Sequence, residues 1–189
     1  MGIDASGQPP LTGWMRFLRR IKTRPRNEVV NLMMPDKQVG VTDQDVFMTR
    51  AFNAPRELVW RFWTEAALLW TWFGPDGISV PPDSVRIDLV QGGRWELSMR
   101  NDETGQAHPI RGTIASFRSP EHLEIHMDAD SSLGTLQEIV LRVEFHDHGS
   151  RTRVTLHQGP FSSELRDITA DGWSVSFDHL DLQLNGPLL

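Results

Sequence analysis

The chain has 189 residues, 39% of them hydrophobic and 23% charged. That suits one domain of ordinary size plus a tail, or two very small domains, and is too apolar for a disordered protein. It has no cysteine and no tyrosine, which excludes disulfides, thiolate metal sites, a cysteine nucleophile and any mechanism that needs a phenol. The net charge of −6 is unevenly spread: residues 1–41 carry seven Lys/Arg against three Asp/Glu, and residues 42–189 carry twelve against twenty-two. The acidic body repels a nucleic-acid backbone, so no nucleic-acid partner is expected for it. The basic extension suits an anionic surface, or equally the acidic body of its own chain.

Residues 1–41 read as a basic N-terminal extension. Its first ten residues are small, polar and proline-rich, and disorder is expected there. Thr12 is placed to cap a short amphipathic helix in which Trp14, Phe17, Leu18 and Ile21 fall at i, i+3, i+4 and i+7, with Arg16, Arg19, Arg20 and Lys22 on the remaining surface. Pro25 ends it. Such a helix docks on its own domain or on a second copy of the chain, a homodimer being one option, or lies on an anionic membrane. Met1, Gly2 and Ser6 fit the loose N-myristoylation pattern.

The domain itself is expected over 42–189. Val46 to Phe52 is strand-like and stops at Asn53-Ala54-Pro55, a helix start with proline in the first turn. Leu58, Val59, Phe62 and Trp63 form the apolar stripe of that helix. A second short helix over Ala66 to Phe73 ends at Gly74-Pro75. Six strands follow. Val80 to Val90 alternates through Val85, Ile87 and Leu89. After Gln91-Gly92-Gly93 come Trp95, Leu97 and Met99, then Ile110, Gly112 and Ile114, then Leu123, Ile125 and Met127. Ile139, Leu141, Val143 and Phe145 make the next face, and His146-Asp147-His148-Gly149 turns into Arg151 to His157. Period-two alternation of this kind means antiparallel strands with one dry face and one wet face. Ile168, Trp173, Phe177, Leu180 and Leu184 recur at helical spacing, and Gly186-Pro187 ends that helix. Gly172 marks either where the helix begins or a close approach to the sheet. The order is β-α-α-β6-α, an α+β fold with a curved antiparallel sheet wrapped around a long C-terminal helix. No apolar run approaches the roughly 20 residues that span a bilayer, and no apolar signal core follows the N-terminus, so a cytoplasmic location is expected.

Phe52-Asn53-Ala54-Pro55, Val59-Trp60, Trp72-Phe73-Gly74-Pro75, Gly92-Gly93, Gly159-Pro160-Phe161 and Gly172-Trp173 with Leu180 together resemble one family pattern, from about Asp45 to Asn185. It is that of the homologues of the activator of the heat-shock-protein-90 ATPase, within the START-like, helix-grip or SRPBCC superfamily. The resemblance implies the helix-grip fold. It leaves activity open, because that superfamily includes lipid carriers, polyketide cyclases and chaperone activators.

Function is expected to lie in a hollow between sheet and terminal helix, since a sheet that curls without closing commonly leaves one, and ligand pockets run to roughly 300–1,000 Å³. Trp63, Trp72, Trp95, Leu97, Met99, Ile125, Leu141, Phe177 and Leu180 are the expected lining for a small hydrophobic or amphipathic ligand such as a lipid, aromatic or polyketide-like compound. On this reading Trp95→Ala weakens binding without unfolding the domain. Trp60 and Trp173 read as core, whereas Trp63, Trp70, Trp72 and Trp95 fit either core or a binding surface.

A cyclase or dehydratase in the same cavity is the second reading, with His157, Glu138, Arg142 and His179 as its available ionisable groups. A co-chaperone-type module acting on a heat-shock ATPase is the third. No catalytic residue, metal site or cofactor is assigned. His146 and His148 belong to a solvated turn, His122 and His126 to the wet strand face, and no nucleophile elbow, phosphate loop or dinucleotide fingerprint is present.

Overall fold

The computed structural model describes residues 41–128 and 138–186. The helix and acylation pattern expected near the N-terminus lie outside the described residues. Within them the chain runs β1 (Val46–Phe52), α1 (Arg56–Thr64), α2 (Ala66–Leu69), β2 (Ile78–Ser79), a 3₁₀ turn (Pro82–Ser84), β3 (Arg86–Ile87), β4 (Arg94–Asn101), β5 (Ala107–Arg118), β6 (His122–Met127), β7 (Ile139–His148), β8 (Arg151–Gly159) and α3 (Ser163–Asn185).

The strands form one antiparallel sheet in the order β1-β8-β7-β6-β5-β4-β2, with β3 also on β4. Register aligns the apolar positions in rows across the concave face. Ile114, Ile125, Leu141, Gln158 and Val46 make one row, and Leu123, Val143, Leu156 and Met48 another. The fold is the expected α+β helix grip: a half-barrel sheet closed by α3.

Three details differ from the sequence reading, the first being that the second short helix ends at Leu69 and not at Phe73. The stretch Val80 to Val90 is not one strand, because Pro81 and Pro82 lack the N–H groups a ladder needs and instead turn the chain into the 3₁₀ segment. Only Arg86 and Ile87 pair beyond it. The terminal helix starts well before Ile168, at Ser163, where the Ser162 hydroxyl accepts from Leu165 N. Gly172 therefore lies inside the helix. The nearest atom to a Cβ built there is Pro75 Cγ at 4.0 Å, so the glycine abuts the Gly74-Pro75 turn, and the sheet is farther off.

The core is a set of interlocked rings. Trp63 stacks on Trp173 (5.6 Å, 19°) and tilts against Trp72 (4.9 Å). Phe145 and Phe177 meet Trp63 edge-on at 6.0 and 6.2 Å. Phe73 joins Trp95 to Trp173 (5.6 and 5.4 Å). Each such pair adds about 0.5–1.5 kcal/mol to the burial of its area. The indole N–H groups of Trp173 and Trp72 are anchored too, whereas the buried Trp63 Nε1 has no hydrogen-bond partner among the described residues. Trp173 Nε1 donates to Gln158 Oε1 (2.7 Å) and Trp72 Nε1 to the Phe62 carbonyl (2.9 Å). Gly112, opposite Trp95, has no room for a Cβ, which would fall 2.6 Å from Ile125 Cγ2.

The outer sheet face is wet and carries an ionic lattice. His122 Nδ1 lies 2.6 Å from Glu144, and Arg142 Nε donates to Glu124 (2.6 Å). His126 sits between Glu124 (3.0 Å) and Glu138 (3.1 Å). Partial burial pushes the Glu124 carboxyl up, but hydrogen bonds from His126 and Arg142 outweigh it and hold the group below the usual carboxylate range.

Replacing Gly172 by alanine is expected to raise stability by about 0.5–1 kcal/mol, since the methyl meets nothing closer than an ordinary van der Waals contact and the helix loses its most flexible residue. A thermal melt of Gly172→Ala reads this as a higher Tm. Because Glu124 is depressed in the folded state, its contribution is whole above about pH 5 and is lost as acid carries the pH through and below about 4. Tm measured from pH 6 to pH 3 is expected to fall less steeply for Glu124→Gln than for the parent.

Candidate functional site

The segment from Trp70 to Pro82 connects α2 to the sheet edge, and its path is set by two clasps on α3. Gly74 takes φ +117°, a backbone conformation that glycine adopts without strain. Its N–H donates to Ser176 Oγ (3.2 Å), and Ser176 in turn donates to the Gly172 carbonyl (2.9 Å). The His179 ring reaches the Gly74 carbonyl through Nδ1 (3.0 Å) and the Asp76 carboxylate through Nε2 (3.1 Å). At the other end Ser79 pairs with Arg100 on β4, and its hydroxyl donates to Asp102 (2.6 Å).

These clasps leave a groove of about 320 Å³ between the β2–β4 sheet edge and α3. Trp70, Phe73, Pro81 and Pro82 give it apolar walls, and Trp72, Ile78 and Val80 back it from the core. Arg100 and His179 are its ionisable lining groups. Arg100 Nη2 donates to Ser79 Oγ (3.3 Å), which aims the guanidinium along the sheet edge. An apolar trough with one cation at its margin can hold a small amphipathic molecule that carries an anionic group.

The nine expected lining residues fall together, but in the core. Trp63, Trp95, Ile125, Leu141 and Leu180 are 0% exposed, and Trp72, Leu97, Met99 and Phe177 are also buried. All nine belong to one hydrophobic cluster, and Trp72 is the member that also lines the groove. The four ionisable candidates are not brought together. His179 lies at the groove. Arg142 and His157 are register partners on the outer sheet face, and Glu138 is exposed beside His126. His157 Nε2 is 3.5 Å from Asp45. His146 is held below the usual histidine range by burial and by Arg153, its register partner. Among the described residues no three His, Cys, Asp or Glu side chains are arranged to hold a metal ion, and no helix is long and apolar enough to cross a membrane.

Arg100, Pro81 and Pro82 did not stand out in the sequence. Arg100 reads there as one more polar residue in an alternating strand, and only the pairing of β2 with the end of β4 brings it to the groove. The adjacent prolines were the available signal, because a Pro-Pro pair cannot sit inside a ladder and must mark a surface turn.

No protein of curated function matches the chain. Solved structures share its fold. A protein from Arthrobacter aurescens, solved by solution NMR, is 20% identical with a TM-score of 0.65, covering 77% of this chain and 88% of that one. A protein from Silicibacter pomeroyi is 24% identical with a TM-score of 0.64, covering 74% and 96%. One from Nitrosomonas europaea is 24% identical with a TM-score of 0.62, covering 74% and 92%. The family model described as "Activator of Hsp90 ATPase homolog 1-like protein" matches residues 53–185, a span that runs from the start of α1 to the end of α3 and includes every element that builds the groove. The chain therefore belongs to the family of activator of Hsp90 ATPase homolog 1-like proteins.

Proposed function

We propose that this protein binds a small amphipathic ligand, an aromatic or short-chain acid, in the groove between the β2–β4 edge and the terminal helix. The observation that carries the reading is the pairing of an apolar trough of about 320 Å³ with the Arg100 guanidinium at its margin. The ligand's body lies against Trp70, Phe73, Pro81 and Pro82, where burial is worth roughly 25 cal/mol per Å² of apolar surface. Its anionic head meets Arg100 in a charge-assisted contact. The volume lies at the small end of the roughly 300–1,000 Å³ seen for ligand pockets, which favours a ligand of one or two rings over a long lipid. The buried ring cluster supports this site from behind: it holds Trp72 and Phe73, and through them the groove floor, in one position.

Two substitutions separate groove from core. Anilinonaphthalene sulfonate, an anionic aromatic probe, is expected to bind the parent protein with enhanced fluorescence. Arg100→Ala is expected to weaken that binding about tenfold at unchanged Tm, the loss of one charged contact worth about 1.5 kcal/mol. Trp95→Ala is expected instead to destabilise the fold by about 3–5 kcal/mol, because a fully buried ring is removed from a packed cluster. That differs from the binding-only effect read from the sequence. Equal probe affinity in parent and Arg100→Ala contradicts the groove site.

A further inference from the structure

The wet outer face of the sheet holds a serine, a histidine and a carboxylate in hydrogen-bonded sequence. Ser116 Oγ lies 3.2 Å from His122 Nε2, and His122 Nδ1 lies 2.6 Å from Glu144 Oε1. The three come from neighbouring strands, β5, β6 and β7. His122 stands directly opposite Glu144. On its other side it opposes Arg118, and Ser116 is the next residue of β5 on that face, so the serine is its diagonal neighbour.

The register shows why the serine faces outward. Ile114 pairs with Ile125, but Ser116 pairs with Glu124, and Ala115 is the extra residue of a bulge. Continued without that bulge, the ladder would set Ser116 against Leu123, which is fully buried on the dry face. The bulge turns the serine from the core side to the side of His122 and Glu144. Bulges that re-aim a side chain in this way are over-represented beside active sites.

The hydrogen positions follow from the partners. A carboxylate only accepts, so His122 Nδ1 carries the hydrogen of the 2.6 Å bond. In the neutral ring Nε2 is then an acceptor, and the Ser116 hydroxyl donates to it. That is the tautomer a general base needs, oriented by a third group. The His122 side chain is 19% exposed, so its neighbours shield the ring on most sides, whereas Ser116 is exposed and open to a reagent.

We propose that Ser116 is a nucleophile toward short carboxylic esters, with His122 as its general base and Glu144 as a positioning residue. Ser116 Oγ attacks the ester carbonyl carbon while His122 Nε2 takes the hydroxyl proton. The tetrahedral intermediate collapses, its bond to the alcohol oxygen breaks, and the alcohol leaves with that proton. Water, deprotonated by the same nitrogen, attacks the acyl-serine, and the acid departs as the proton returns to Ser116 Oγ. Arg118, next on the same strand face, is the adjoining cation for the oxyanion. Glu124 stands opposite the serine and holds Arg142. Such charged surroundings suit a short acyl group such as acetyl over a fatty chain. The site lies on β5–β7, away from the β2–β4 edge, and stands or falls independently of the groove.

Two reagents test this on the full-length protein. 4-Nitrophenyl acetate is expected to be hydrolysed above the buffer rate. A fluorophosphonate, which a serine oxygen attacks at phosphorus with loss of fluoride, is expected to be found on Ser116 by peptide mass spectrometry. Ser116→Ala is expected to remove both at unchanged Tm, because the side chain is exposed. His122→Gln is expected to lower kcat about a hundredfold, the lower end of what a positioned base contributes. Glu144→Gln is expected to lower kcat about tenfold with KM and Tm unchanged, a split that a merely structural role does not produce. Ser150→Ala, in the turn between β7 and β8, keeps both turnover and label. No turnover above buffer, an adduct only on other residues, or hydrolysis at the parent rate in Ser116→Ala or His122→Gln overturns the proposal.

Discussion

Trp63 lies stacked on Trp173 with Trp72, Phe145 and Phe177 against its other faces and edges, and the rest of the molecule is arranged around that contact. One ring comes from α1 and one from α3, so the stack ties the opening helices to the closing one across the concave face. The Trp173 indole then donates to Gln158 on β8, which fixes the long helix against the sheet both by apolar packing and by a directional bond. A polar side chain such as Gln158 is costly on a dry sheet face unless its groups are met. Here its amide oxygen takes the Trp173 N–H and its nitrogen approaches Met127 Sδ (3.1 Å).

That contact also decides where the proposed ligand site lies. A curled sheet gripping a helix has an interior to fill, and this chain sets tryptophans and phenylalanines within it. The same rings determine the position of Phe73, which joins Trp95 to Trp173. From Phe73 the chain goes directly into Gly74 and the clasps on Ser176 and His179. The groove is therefore the rim of the ring cluster. Its apolar walls continue the core outward, and its polar groups are those of the sheet edge and of the helix face that the core does not use.

Much of this was legible in the sequence, for identifiable reasons. The strands from Trp95 to His157 follow a period of two, interrupted by a register shift between Ile114 and Ser116, because each has one dry face, and rows such as Leu123–Val143–Leu156 follow from it. The motif Trp72-Phe73-Gly74-Pro75 marked architecture, and Gly74 does take a φ suited to glycine. Where alternation was accidental the reading failed: Val85, Ile87 and Leu89 mimic a strand, but the prolines before them and the Gly92-Gly93 turn after them leave two paired residues. The start of α3 was missed because its first turns carry few apolar residues and a glycine at 172 imitates a boundary. For the site, sequence identified rings that face inward. It did not show that they would pack on one another, since mutual distances depend on how α1 and α3 cross. Nor did it show that Arg100 and His179, 79 positions apart in the sequence, would line one groove.

On the proposed function the interior rings are structural and ligands meet only their outer rim. The seven tryptophans make this directly observable, because each indole N–H gives its own signal in a ¹H–¹⁵N correlation spectrum. On titration with anilinonaphthalene sulfonate, the signal of Trp70 is expected to shift first and most, with a smaller change at Trp72, while those of Trp63, Trp95 and Trp173 stay in place. Large shifts at Trp63 and Trp95 with Trp70 unmoved would place the ligand inside the sheet and contradict the account.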